Sequence, residues 1–440
     1  MIRYHSTRGS NKSLAFKDII LSGVADDGGL YLPHSITLEN LKYLTQEDLS
    51  YEDFVKTVFI ALDRDASSYV EDLDIYPGFT SPEPVLKKIA TDKYVMELFH
   101  GPTKSFKDYA LQPLGAIADK RLEELGERGL VIVATSGDTG SAAIEAVKRS
   151  NNIDIVVLHP FEKISEYQRR QMTEVIEDNV LNIAIKGTYD DCQKIAKSLL
   201  QKDTFNKRVV SLNSINWLRV MGQTAYYVWL SQQFTSPINI AIPSGNFGNA
   251  YSAWFGRNNG LSINEIFCAS NSNDVLTRFI TTGMLEPKNT VKTIAPSMDI
   301  QIPSSLERLI YDLIGPTKIF YEELEKNRKA SLDTPLYERL KSVFTSSSYS
   351  DEDIFEELKN FYKIYGSIID PHTATALASS VQFSSKLPTV GVASASPEKF
   401  EDVINQVIPE FTSKSSLNEE EYLILENEVG LIEDAINQYF

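Results

Sequence analysis

Val131-Ile132-Val133-Ala134-Thr135-Ser136-Gly137-Asp138-Thr139-Gly140-Ser141 is an apolar run ending in small hydroxyl and glycine residues, and Ala142-Ala143-Ile144-Glu145-Ala146-Val147 follows at helical spacing. The stretch reads as a strand, a tight turn and the first turn of a helix. Such a junction leaves unpaired backbone N–H groups at the positive end of the helix dipole, where an anion is favoured. Residues 238–250 repeat the design, with Ile238-Asn239-Ile240-Ala241-Ile242 as strand and Pro243-Ser244-Gly245-Asn246-Phe247-Gly248-Asn249-Ala250 as turn. Junctions of this kind also close ordinary α/β units, so neither loop alone assigns a ligand.

Working outward, short apolar strands alternate with amphipathic helices from about residue 94. Tyr94 to Phe99, Leu130 to Ala134, Ile153 to Leu158, Val180 to Ile185, Val209 to Leu212 and Ile238 to Ile242 are the strand candidates, and Thr389 to Ala393 is the last. Alternation predicts mostly parallel sheets flanked by helices, an α/β fold. Leu111, Leu114, Ala118, Leu122 and Leu125 predict a helix that Gly126 stops and that Pro113 delays or kinks. The expected organisation is an N-terminal, mainly helical module over 1–90 with a boundary at Ser81-Pro82-Glu83-Pro84, one lobe over 91–210, and a second over 211–440. Past Ile310 the chain turns helical and acidic. Ser346-Ser347-Ser348 reads as an exposed loop and residues 411–440 as a peripheral tail.

A chain of 440 residues, 42% hydrophobic and 23% charged, can bury a large core and leaves no room for a disordered majority. The net charge of −17 argues against nucleic acid or an anionic membrane as partner. Any phosphorylated substrate must therefore be attracted locally. Cys192 and Cys268 match no disulfide or metal spacing, which fits a reducing cytoplasm. Met1-Ile2-Arg3-Tyr4-His5 lacks a signal peptide's apolar core, and no run has the length of a membrane span.

His100-Gly101-Pro102-Thr103-Lys104-Ser105-Phe106-Lys107-Asp108 places a lysine at a loop-to-helix junction beside Phe106 and a Gly-Pro turn. An amine that bonds an aldehyde must be held partly neutral, and an apolar setting does that. The plain alternative is a surface lysine in a first helical turn. Two anion-favouring loops in the same chain favour the reactive reading.

Together with Asp27-Gly28-Gly29-Leu30-Tyr31-Leu32-Pro33, Asn213-Ser214-Ile215-Asn216-Trp217, Pro296-Ser297-Met298-Asp299-Ile300 and Asp370-Pro371-His372-Thr373-Ala374, these segments resemble the threonine synthases. These are pyridoxal 5'-phosphate enzymes of the tryptophan-synthase-β fold type (fold type II), and the likeness is to their longer bacterial and fungal branch. The resemblance implies that Lys107 bonds the cofactor's aldehyde and is the leading base. It implies that Gly245, Asn246, Phe247, Gly248 and Asn249 cup the cofactor phosphate, and that Thr135, Ser136 and Thr139 face the substrate. Helix capping is the plain alternative for those hydroxyls. Asn213, Ser214 and Arg219 would meet the phosphate of O-phospho-L-homoserine; guanidinium suits phosphate through two-pronged hydrogen bonding. Lys104 either adds charge there or snorkels to water. Ser394, or else Ser396, would face the pyridine nitrogen. Asp138 replaces the Asn common beside the cofactor's phenolic oxygen, so it is expected to be protonated or turned away. His100 and His372 have no metal-ligand company and read as structural.

Ser394-Ala395-Ser396-Pro397 departs from the family's usual Thr-Ala-His-Pro, and Ser304-Ser305-Leu306-Glu307-Arg308 from Ser-Asn-Phe-Glu-Arg; Leu218 is often smaller in relatives. The implied activity is conversion of O-phospho-L-homoserine and water to L-threonine and phosphate by a cytoplasmic monomer or homodimer. The rivals are a phospho-lyase releasing keto acid, ammonia and phosphate, a serine or threonine dehydratase, and a non-catalytic relative that binds the cofactor or a phosphometabolite.

Overall fold

The computed structural model describes residues 2–34, 44, 49–201, 205–378, 383, 386–412 and 418–440. Parts of two expected regions, 1, 35–43 and 45–48 of the N-terminal module and 413–417 of the tail, lie outside the described residues. Two sheets dominate. The six-stranded sheet runs in the order Phe344–Ser348, Ile263–Ser270, Ile238–Pro243, Thr389–Ala393, Lys93–Glu97, Val85–Ala90, parallel except for the final antiparallel pair. The five-stranded sheet runs Leu423–Glu426, Val180–Lys186, Ile153–Pro160, Gly129–Ala134, Arg208–Val209, all parallel. Ile153–Pro160 is buried along its whole length, as a central parallel strand covered on both faces must be.

The sheets cross the expected cuts at 90 and 210. Lys93–Glu97 joins the six-stranded sheet before the chain enters the other at Gly129, and Leu423–Glu426 returns to the five-stranded sheet. The tail is thus no appendage. Its helix Val429–Tyr439 buries Ile432 and Ile436, and Glu420 pairs with Arg169 at 2.9 Å and Arg170 at 3.1 Å. Ser346-Ser347-Ser348 is not a loop either. It lies in an edge strand, where the Ser346 hydroxyl donates to Cys268 O at 2.6 Å and the parallel backbone ladder compensates for weak β propensity.

The helix expected to start late begins directly after Lys107, spanning Asp108–Leu125, and Gly126 ends it in the left-handed region at φ +65°. Pro113 removes the N–H that would bond Tyr109 O. That carbonyl instead accepts from the Tyr76 hydroxyl at 2.9 Å, so the proline is accommodated. The N-terminal segment pairs Tyr4–Ser6 with Tyr31–Pro33 and adds helices Phe16–Ile19, Tyr51–Leu62 and Ser67–Val70. It docks through Glu307, which takes the Thr7 hydroxyl at 2.7 Å and pairs with Arg8 at 3.1 Å. Both glycine turns follow the C-terminal ends of parallel strands, Gly129–Ala134 and Ile238–Pro243, where open α/β sheets form their crevices.

Candidate active site

The Lys107 loop is clamped before its helix begins. Thr103 donates to Asp108 through its N–H at 2.9 Å and its hydroxyl at 2.6 Å, and burial pushes the Asp108 carboxyl up to about 7. Phe106 N–H donates to Ser394 O at 2.8 Å, and Ser396 N–H to Lys104 O at 3.0 Å, so residues 105 and 395 form a short bridge. The Lys107 side chain is only 11% exposed and its Nζ lies 5.6 Å from the Phe106 ring centre. Burial lowers its pKa; Lys399 and Arg219 reinforce the shift and Asp138 opposes it.

Lys107 Nζ stands 3.3 Å from Asp138 Oδ2, at the first residue of the helix Asp138–Val147. Oδ2 also accepts from the Ser297 hydroxyl at 2.9 Å, while Oδ1 accepts from Gln168 Nε2 at 3.1 Å and forms an ion pair with Lys399 Nζ at 3.0 Å. Burial raises the carboxyl's pKa, but Lys107 and Lys399 outweigh it and hold Asp138 well below the ordinary carboxylate range. Asp138 is therefore not turned away: its two oxygens face Lys107, Ser297, Gln168 and Lys399. His372 stands behind it. Its Nε2 accepts from Ser297 N–H at 3.2 Å, so Nδ1 carries the proton donated to Asp370 at 2.8 Å.

Thr135 takes the capping alternative. Its hydroxyl oxygen accepts from Gly137 N–H and Gly140 N–H, both at 2.9 Å, and so shapes its own loop. Ser136 and Thr139 are half-buried. In the second loop Phe247 takes φ +69° and opens the helix Gly248–Asn258. Among the described residues, the N–H groups of Gly245, Asn246, Phe247 and Gly248 donate to no protein acceptor. Asn249 accepts from the Tyr226 and Tyr227 hydroxyls at 2.6 and 2.7 Å, leaving its buried Nδ2 without a partner.

Arg219 is 4% exposed on the helix Trp217–Gln232. It donates from Nη1 to Leu212 O at 3.1 Å; its Nε has no partner, and no ion pair reaches it among the described residues. Burial lowers its pKa to about 10. Asn213 is exposed and its side-chain oxygen closes its own turn, accepting from Ile215 N–H at 3.2 Å. The Ser214 hydroxyl lies 3.3 Å from that of Ser304, which donates to Asn246 Oδ1 at 3.2 Å, tying this segment to the second loop.

Ser394 and Ser396 differ in what their hydroxyls do. Ser396 Oγ caps the turn Pro397–Phe400, accepting from Glu398 N–H at 3.4 Å. Lys104, at φ +56°, pairs with Glu398, both side chains partly exposed, and lies 5.6 Å from the Tyr167 ring centre. His100 pairs with Glu97 at 2.9 Å. Sequence reading missed Lys399, Ser297 and Gln168 as site residues. Pro397-Glu398-Lys399-Phe400 carries no spacing that signals a buried charge; only the Ser-Pro start marks a turn.

The chain matches the family described as pyridoxal-phosphate dependent enzyme over residues 83–389, and threonine synthase N terminus over residues 3–66. It is 36% identical to a threonine synthase of Pseudomonas aeruginosa, with 100% of this chain and 98% of that protein covered. A threonine synthase of Saccharomyces cerevisiae is 33% identical, with 94% and 90% covered. The crystal structure of pyridoxal-phosphate-bound threonine synthase from Brucella melitensis superposes with a TM-score of 0.93 at 30% identity, covering 100% of this chain and 99% of that one.

Proposed function

The chain belongs to the threonine synthase family of pyridoxal-phosphate-dependent enzymes, and we propose that it converts O-phospho-L-homoserine and water to L-threonine and phosphate. The observation that carries the reading is a desolvated amine, Lys107, in a chain that also presents two features asking for anions. One is the turn of free N–H groups at 245–248; the other is the Arg219 guanidinium, which has no carboxylate. Pyridoxal phosphate fits these residues, since its aldehyde needs such an amine and its phosphate such a turn. When bound, it supplies an electron sink for negative charge developing on the substrate.

Lys107 bonds the cofactor and, as a free amine, moves protons at the substrate's Cα and Cβ; its lowered pKa increases the neutral fraction that does so. Gly245 to Asn249 hold the cofactor phosphate. Arg219, with Asn213 and Ser214 beside it, holds the phosphate that leaves from Cγ. Ser136 and Thr139 bind the substrate carboxylate in a loop that Thr135 shapes. Ser394, whose hydroxyl is not taken up in capping, would serve the pyridine nitrogen as a neutral donor.

No helix among the described residues is long and apolar enough to cross a membrane. A cytoplasmic location is part of the proposal, supported by the two free cysteines. Purified protein given O-phospho-L-homoserine should form threonine and phosphate in equal amounts. Keto acid and ammonia in place of threonine would make it a phospho-lyase, and no turnover with cofactor bound would make it a binding relative.

A further inference from the structure

Lys399 is a lysine with a fully buried side chain (0% exposed) at the meeting point of three segments distant in sequence. Its Nζ donates to Thr103 O at 2.8 Å and to Gln171 Oε1 at 2.7 Å, and forms an ion pair with Asp138 Oδ1 at 3.0 Å. Two acceptors and a carboxylate around a buried amine make this the setting of a cation. Asp138 in turn accepts hydrogen bonds from Lys107, Gln168 and Ser297 and faces two cations, Lys399 at 3.0 Å and Lys107 at 3.3 Å. A buried carboxylate with one cationic partner holds that partner charged, because releasing it leaves an unpaired anion. Asp138 has a second.

We infer that Lys399 is a positioning residue that serves as the standing counter-ion of Asp138, so that Lys107 is free to shed its proton and leave the carboxylate without stranding a charge. The inference rests on Lys107 being the cofactor-binding amine. With Lys399 in place, Asp138 and Lys399 form a neutral unit whatever Lys107 does. Without it, Asp138 claims Lys107 as an ammonium, which cannot attack an aldehyde.

The other charged groups packed around the cluster leave this balance intact. Arg219 adds positive charge near Lys107. His372 acts on Asp138 through Ser297, with its ring proton committed to Asp370. Asp108 is held by Thr103, and Glu145 is paired with Lys148 at 2.7 Å and Arg149 at 2.9 Å. Lys104 and Glu398 pair with each other.

The test is competitive acetylation of lysines against pH in cofactor-free protein, with the Lys107 peptide quantified by mass spectrometry. In Lys399→Met the labelling midpoint of Lys107 should rise by about one pH unit or more, the effect of losing a nearby like charge while keeping an opposite one. Adding Asp138→Asn should return it to within about half a unit of the parent, since the remaining site is again balanced. A purely structural Lys399 would give no such return. An unchanged midpoint in folded Lys399→Met, or a rise that Asp138→Asn does not reverse, overturns the inference. If Lys399→Met does not fold, the charge-balanced double variant is compared with Asp138→Asn alone. The inference requires the lower midpoint in Asp138→Asn, and equal midpoints overturn it. Borohydride fixation of pyridoxal phosphate to the parent protein is scored separately. A label on another lysine defeats the cofactor assignment, whereas the acetylation series still reads the charge coupling.

Discussion

The two glycine turns are near copies in sequence pattern and opposites in chemistry. In the turn at 135–140 a threonine hydroxyl fills the cup, taking the N–H groups of Gly137 and Gly140, and a carboxylate stands at the helix start. In the turn at 245–249 the corresponding N–H groups are left open and the helix start carries no acid. Both sit at the C-terminal end of a parallel strand and both have the helix dipole behind them. What decides whether the N–H groups of such a junction stay open to a phosphate is thus whether the chain supplies its own acceptor. The first turn uses its position to hold Asp138 against Lys107; the second remains available for a phosphate.

The sharpest way to break that contrast is to remove the group between the turns. Lys107→Ala should lower turnover by roughly a thousandfold or more and abolish borohydride fixation of the cofactor, with the circular dichroism spectrum unchanged. Fixation at Lys104 or elsewhere would show that the turns do not serve Lys107.

Gly248→Ala separates an open cup from a closed one. Its Cβ would meet the protein no closer than 3.5 Å, so the fold should stand while cofactor affinity falls by at least about tenfold, or about 1.4 kcal/mol. Gly140→Ala is the counterpart in the filled turn, where a Cβ would lie 2.5 Å from Thr135 Cγ2 and 2.6 Å from Met172 Sδ. It should cost about 1–3 kcal/mol of stability and show as a lower Tm. Equal cofactor affinity in Gly248→Ala and the parent would place the phosphate elsewhere.

Arg219→Lys asks which anion each feature holds. Loss of a two-pronged contact should cost roughly 1.5–3 kcal/mol, lowering kcat/KM for O-phospho-L-homoserine about tenfold or more, and leave cofactor affinity alone. An equal fall in cofactor affinity would mean that the two phosphate sites are interchanged.

Thr135→Val sharpens the comparison from the other side, by emptying the filled cup. Two N–H groups lose their acceptor, which should destabilise the protein by about 1–3 kcal/mol in a denaturant titration while catalysis falls only a few-fold. A loss of substrate binding larger than the loss of stability would restore Thr135 to the direct contact that the sequence suggested.

Local patterns in the chain determined a good deal. Apolar runs and helical spacing set the strands Gly129–Ala134, Ile153–Pro160, Val180–Lys186, Ile238–Pro243 and Thr389–Ala393 and the helix ending at Gly126, because backbone hydrogen bonding and periodicity act over a few residues. Lys107 and the second turn were legible for the same reason, as a lysine and glycines at strand-to-helix junctions. Strands without a clear pattern, such as Phe344–Ser348 and Leu423–Glu426, were not legible; they are edge strands held by a neighbour's ladder. The state of Asp138 lay beyond the sequence altogether. Its charge is settled by Lys107, Ser297, Gln168 and Lys399, brought together from four segments. Burial makes an isolated ion costly and a neighbouring opposite charge valuable, and both terms depend on what packs nearby rather than on what is adjacent in the chain. The sequence singled out Lys107; only the tertiary structure set its counter-ion.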